Sequence, residues 1–312
     1  MQTFVVTDIG GTQIRAAVFQ AGNPSPIVVK KIRTRDKLQT PVERMIGLIK
    51  EIWPENTTVN AIVVAVPGYL DINTGVIFEA PNVPGWIDLP LRDLLEEEFH
   101  TRVLLGNDAN LAAIGEWRYG AGIGYDNLLY LTISTGIGGG AIINGKLMTG
   151  ARGLAGEFGH FTIVPNGPLC GCGHRGHLEA VASGTAIAKY VSERIALGAE
   201  SSLSSISNPS AEDVSQAALA GDALAMQALH QAGTYIGHTL ADYLNIFNPS
   251  IVILGGGVIA AGSLILDPIK SALRDHVLGL PYLEHVQIVT ASLGDNVGLI
   301  GGLALAETFL PG

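Results

Sequence analysis

Hydrophobic positions along this chain fall into two recurring rhythms. "TFVVTDIGGTQIRAAVF" reads as an apolar strand, a Gly-Gly turn and a second strand, which predicts a hairpin carrying Asp8 at its bend. The same pattern returns at "NLLYLTISTGIGGGAIINGKL", so the architecture looks duplicated. Between the two, Thr40, Pro41 and Glu43 spell the start of a helix. Val42, Met45, Ile46, Ile49, Ile52 and Trp53 then repeat on one of its faces. "NAIVVAVPG" is a continuous apolar run, as expected of a strand covered on both faces. "RVLL" follows as a strand and runs into "GNDANLAAIGEW", a turn opening a helix. Further on, Asp222 caps a predicted helix in which Leu229, Ile236, Leu240, Leu244 and Phe247 recur. "IVILGGGV" gives another strand and glycine turn, "SSLSSISNPSAED" reads as a polar surface connection, and "DNVGLIGGLALAE" reads as a glycine-containing helix. The expectation is an α/β protein of two domains with a ligand cleft between them.

Composition narrows the function more than the fold. The chain has 312 residues, long for one core, and two domains of roughly 100 to 200 residues each are expected. Hydrophobic residues make up 47% and charged residues 15%, so a large core can form. A net charge of −10, spread without long acidic blocks, argues against a nucleic-acid surface. It also means that backbone N–H groups must carry much of any phosphate binding. No signal-like segment and no apolar run of bilayer length stands out, so a cytoplasmic location and no membrane partner are expected. Cys170 and Cys172 are separated by one residue, too close for an unstrained disulfide.

Three glycine turns can receive phosphate: "DIGGT", "STGIGGG" and "LGGGV". None ends in the Gly-Lys-Ser/Thr of a P-loop. Two fit a loose dinucleotide pattern, but one of them leads into a strand and the other lacks the acidic residue expected about 20 positions on. Asp8 and Thr12 flank the first turn, and Ser134 and Thr135 flank the second. Together they offer hydroxyls, backbone donors and a carboxylate for hydrated Mg²⁺. Asp108 sits where a strand ends and a helix begins. On position alone a helix cap is the commoner role, and a proton acceptor kept ionised by the helix dipole is the alternative, with Asn107 and Asn110 beside it able to fix substrate hydroxyls. His160, Cys170, Cys172 and His177 form a donor set suited to a tetrahedral, closed Zn²⁺ site, with His174 as a substitute ligand.

The motifs "DIGGTQIRAAVF", "VPGYLD", "APNVPGW", "GNDANLAAIGE", "STGIGGG", "GEFGHFTIV", "CGCGHRGHLEAVASGTAI" and "NPSIVILGGGV" occur in this order over nearly the whole chain. In this the sequence resembles the ROK family of bacterial-type sugar kinases. The resemblance implies two domains of the actin-like ATPase (ribonuclease H-like) fold around a central cleft, residues 1–116 with 298–312 and residues 117–297. It implies ATP and Mg²⁺, with Asp8 holding the cation through water, Gly10, Gly11, Thr12, Thr135 and Gly136 at the phosphates, and Gly255 and Gly256 at the nucleoside. Gly68, Asn82, Asn107, Glu157, His160 and Glu179 become sugar ligands around the base Asp108. Zinc is bound in the family by one His and three Cys, and this chain departs in carrying His177 at the last position.

The activity so implied is phosphorylation of a hexose at its 6-hydroxyl, glucose foremost. Mannose, fructose, allose or N-acetylmannosamine are alternative acceptors, and polyphosphate is an alternative donor. A non-catalytic sugar sensor is the contrasting class. ROK repressors carry a helix-turn-helix segment ahead of the first glycine turn, and here Asp8 is the eighth residue, so a kinase is expected. A homodimer or homotetramer is the assembly the resemblance implies.

Overall fold

The computed structural model describes residues 2–310. In the first half, β1 (Thr3–Ile9), β2 (Gln13–Gln20), β3 (Val28–Arg33), helix α1 (Pro41–Ile52) and β4 (Val59–Val66) come first. They are followed by β5 (Tyr69–Asp71), β6 (Val76–Glu79), β7 (Ile87–Leu89), α2 (Leu91–Phe99), β8 (Val103–Asn107) and α3 (Asp108–Tyr119). The second half carries β9 (Leu128–Ile133), β10 (Ile137–Ile143), β11 (Lys146–Leu147), α4 (Leu178–Ala182), α5 (Gly184–Ala196) and α6 (Ala211–Leu219). Helix α7 (Ala223–Phe247), β12 (Ile251–Gly255), α8 (Ser263–His276), α9 (Pro281–Glu284), β13 (Gln287–Thr290) and α10 (Val297–Phe309) complete it.

The duplication legible in the sequence is a duplication of sheets. One sheet runs β3-β2-β1-β4-β8 and the other β11-β10-β9-β12-β13. In each, an antiparallel hairpin is followed by two parallel pairings. The central strands are nearly all buried, β4 at every position but Asn60, which explains their unbroken apolar runs. A small antiparallel sheet, β5-β6-β7, follows the end of β4 and closes over buried Trp86. Helix α1 begins with the capping box read from sequence: Glu43 N–H donates to Thr40 Oγ1 and Thr40 N–H to Glu43 Oε2. Asp222 likewise caps α7 through Ala225 N–H.

Two expectations change. Asp8 is not at the bend; it lies inside β1, paired across the ladder with Arg15, and the turn itself is residues 10–12. The stretch 201–213 is more than a connection. It contains a 3-10 turn at Ser202–Ser205 and the start of α6, where Ser210 and Asp213 form a second capping box that offsets the polar composition.

Helices α3 and α10 join the halves. One hydrophobic cluster takes Phe4, Val6 and Val63 from the first sheet, Leu128, Tyr130 and Ile253 from the second, and Leu111, Leu299 and Leu303 from these two helices. The helix backbones meet through Gly115 and Gly301. Glu116 of α3 is fully buried and pins this junction. Its Oε1 accepts from the backbone of Ser292 and Leu293, and its Oε2 from Ala121 N–H and the Ser292 hydroxyl. In Glu116→Gln an amide NH₂ would face backbone donors, leaving buried groups unpaired. The variant should lose about 2 to 3 kcal/mol in urea unfolding. A loss under about 0.5 kcal/mol would mean that the carboxylate is not what ties these segments.

Candidate active site

The N-terminus of α3 stands between the first two glycine turns. Asn107 caps the helix, its Oδ1 accepting from Ala109 and Asn110 N–H, while its amide reaches Gly68 O at 3.4 Å. Gly138 packs against Ala109, which brings the second turn up to the same helix end. Asp108 is thereby enclosed, half-buried, with Asp8 and Glu157 near enough to act on it. Its carboxyl is pushed up to about 7, by burial first and by those two negative charges, against the opposing Ala109 N–H. The expectation that the helix dipole keeps it ionised therefore fails. Burial outweighs the dipole, and the group is poised near neutrality. Asn110 is 6% exposed and packed against Gly140 and Gly156, and its Oδ1 accepts no hydrogen bond from the protein.

The first turn is braced from outside. Thr34 donates through its hydroxyl to Gly10 O and through its backbone to Thr12 O, and Gly11 lies against Asn82. Asp8 pairs with Arg15, which also donates to Asp295 O at 2.5 Å, and Gly298 at the start of α10 packs on the Asp8 carboxylate. In the second turn, Ser134 and Thr135 are exposed and rest on the start of α5 through Gly184 N–H and the Thr185 hydroxyl. Because β12 pairs with β9, the third turn emerges beside the second. Gly256 there has φ +89°, and a Cβ would fall 2.2 Å from Ile133 O, so no other residue fits. Thr34 and Thr185 were not legible as site residues, because each is set in place by distant chain.

The four metal-ligand candidates converge. Ligand atoms of His160, Cys170, Cys172 and His177 all lie within 4.8 Å of one another. His177 Nδ1 is 3.2 Å from Cys172 Sγ and 3.3 Å from His160 Nδ1, and Cys170 Sγ is 3.6 Å from His160 Nδ1. His177 is 9% exposed, and burial together with His160 lowers its pKa, favouring the neutral form that a ligand needs. His174 is exposed and stacked on His177 at the edge of the cluster, its Nδ1 3.8 Å from Cys172 Sγ. Burial pushes the Cys170 thiol up to about 12, so a thiolate there calls for a cation. Two sulfurs and two imidazoles on a glycine-rich loop fit tetrahedral zinc.

His160 faces both ways, Nδ1 into this cluster and Nε2 toward Glu157 Oε2 at 3.9 Å. The Glu157 carboxyl is raised chiefly by burial. Glu179 joins the metal cluster to the second turn: Oε2 accepts from Ile137 N–H at 3.0 Å and Oε1 from the Cys170 thiol at 3.4 Å. Tyr69, not singled out in the sequence, follows Gly68, and its pKa is raised by burial first and then by Glu157, Glu179 and both cysteines nearby. Its position directly after the "VPG" turn was the available signal. Among the described residues no helix is long and apolar enough to cross a membrane.

The sequence profile of the ROK family matches residues 4–308. A glucokinase of Halalkalibacterium halodurans is 36% identical, covering 96% of this chain and 93% of that protein. A xylose repressor of Bacillus spizizenii is 34% identical and covers 95% of this chain but 72% of the repressor. Among solved structures, a ROK glucokinase from Streptomyces griseus in complex with glucose and AMPPNP superposes with a TM-score of 0.84. It is 36% identical and covers 98% of this chain and 99% of its own.

Proposed function

This chain belongs to the ROK family and has its actin-like ATPase fold, and from that premise we propose that it is an ATP-dependent hexose kinase acting on the 6-hydroxyl, glucose foremost. The observation that carries this reading is Asp108: a carboxyl with a pKa near 7 at a helix N-terminus, between two glycine turns and beside the Glu157–His160 pair. A sensor that only binds sugar has no use for a base tuned to neutral pH.

In the reaction, a sugar 6-oxygen attacks the γ-phosphorus, and the bond from that phosphorus to the β,γ-bridging oxygen breaks to release ADP. The hydroxyl proton passes to Asp108, which suffices as a base because the alcohol becomes acidic only as the new P–O bond forms. Gly10, Gly11, Thr12, Thr135 and Gly136 hold the phosphates, and Gly255 and Gly256 flank the nucleoside. Asp8 is partly exposed and only one of its oxygens is taken by Arg15, which suits it to hold hydrated Mg²⁺; the cation supplies charge neutralisation to the phosphates. Gly68, Asn82, Asn107, Glu157, His160 and Glu179 orient the hexose. Zinc at His160, Cys170, Cys172 and His177 is structural in this reading. Bound there it would fix the His160 ring through Nδ1. The lobes 1–116 with 298–312 and 117–297 close around both substrates.

Coupled ADP release across glucose, mannose, fructose, allose and N-acetylmannosamine, with ATP or polyphosphate as donor, tests the proposal. Absence of turnover with every sugar tested would revive the sensor reading. The base also fixes the pH profile. Asp108 must be deprotonated to accept a proton, so kcat/KM should fall about tenfold per pH unit below about 7 and level off above it. A profile flat from pH 5 to about 8 would remove Asp108 from that role.

A further inference from the structure

A loop of the second half crosses to the first half beside the sugar site, and no motif in the sequence marks it. After β11, residues Gly150–Gly156 form a compact excursion, closed on itself by Ala155 N–H donating to Thr149 O at 3.1 Å, and Glu157 stands at its end. Its tip, Ala151-Arg152-Gly153, lies on the end of β5. Both Nε and Nη2 of Arg152 donate to Asp71 Oδ2, at 3.1 and 3.0 Å, and the guanidinium stands 5.2 Å over the Phe78 ring of β6. Asp71 is the buried partner, its side chain 7% exposed against 57% for Arg152. The Asp71 Oδ1 is already taken by Asn73 N–H at 3.0 Å.

The backbones add to the contact. Ile72 N–H donates to Arg152 O at 3.4 Å, and the Asn73 amide reaches Ala151 O at 3.5 Å. Gly153 has φ +85°, and a Cβ on it would fall 2.7 Å from Ile72 Cγ2, so the tip is shaped to this seat. The backbone bonds are long, which leaves the charged pair as the principal attachment.

We infer that Arg152 is a positioning residue for the hexose: by gripping Asp71 it latches the loop that delivers Glu157 onto the hairpin that delivers Gly68. Asp71 lies three residues after Gly68, and Arg152 five before Glu157, so the pair fixes the distance between two walls of the sugar pocket. The guanidinium suits this because its fork presents two N–H groups to one carboxylate oxygen, which a lysine cannot do. Neither residue touches the phosphate turns. The latch should therefore act on the sugar and not on the nucleotide. The inference rests on the hexose-kinase reading.

The test compares wild type with Arg152→Ala, Arg152→Lys and Asp71→Asn in steady-state kinetics, together with hydrogen exchange of residues 149–157. Arg152→Ala should raise the hexose KM about tenfold, with kcat changed less than about threefold and the ATP KM unmoved. Arg152→Lys should recover part of the loss, and Asp71→Asn should shift the hexose KM in the same direction as Arg152→Ala. Amides of the loop should exchange faster in Arg152→Ala without sugar. A hexose KM within about twofold of wild type overturns the latch, as does a parallel rise in both KM values with a lowered Tm, which marks a general structural role. If wild type phosphorylates no hexose, the kinase reading fails, and the loop's exchange with and without Arg152 still decides whether the pair holds it.

Discussion

Asp108→Asn should lower kcat for hexose phosphorylation by a factor on the order of 10³ to 10⁴ while the protein stays folded and still binds sugar. An amide keeps the shape of the carboxyl and its contact with Ala109 N–H, but it cannot take the proton. The stability effect has a definite sign. The folded carboxyl has its pKa raised from 3.8 to about 7, so within that window the native state holds a proton that the unfolded chain has lost. Wild-type stability from this group is present at low pH and is lost as pH rises through about 7. The variant carries no such penalty, so its melting temperature at pH 8 should equal or exceed that of wild type. Near-normal turnover in Asp108→Asn, measured with glucose and a coupled ADP assay, would sink the assignment. A folded, sugar-binding, inactive variant separates loss of chemistry from loss of structure.

The second large effect concerns the metal loop. Protein purified without added zinc should carry about one zinc per chain. Cys170→Ser or His177→Ala should lose the metal, cost on the order of 4 kcal/mol of stability and raise the hexose KM strongly. The coupling to sugar follows from His160, whose other ring nitrogen faces Glu157. His177→Cys should retain zinc, since a thiolate is the ligand usual at this position in the family. His174→Ala should also retain it, because the four converging ligand atoms do not include that ring. Clearly substoichiometric zinc in wild type, measured by elemental analysis, would refute the site. Full occupancy in His177→Ala would instead remove His177 from it.

The sheets were legible because each central strand is a long apolar run and the hairpins repeat. Those signals are local and strong. The four metal-ligand candidates were legible for a similar reason, since three of them fall within eight residues and His160 lies shortly before. What sequence could not supply was pairing across distance. Arg152 and Asp71 are 81 residues apart, and each alone reads as a solvated charge. Glu116 likewise gives no hint that its partners are Ser292 and Leu293. Protonation of Asp108 was misjudged for a related reason: the helix dipole can be read locally, whereas its burial and the charges of Asp8 and Glu157 beside it come from chain arriving from elsewhere. The start of α6 was hidden by polar composition, although Ser210 and Asp213 carried the capping signal.

The position of α10 bears on how the chain is made. This helix lies against β1 and β4 and meets α3 through glycine backbones, so one face of the first sheet is covered by residues 297–309. At ribosomal speeds of roughly 5 to 20 residues per second, that face waits for on the order of ten seconds or more after β8 has emerged. During this interval Phe4, Val6 and Val63 lack α10, α3 alone of the two helices is there to cover them, and the nascent chain presents part of an apolar sheet to its surroundings. The first half is thus the part most exposed to aggregation during synthesis, and a chaperone that holds it until the final helix arrives would raise the yield of native protein.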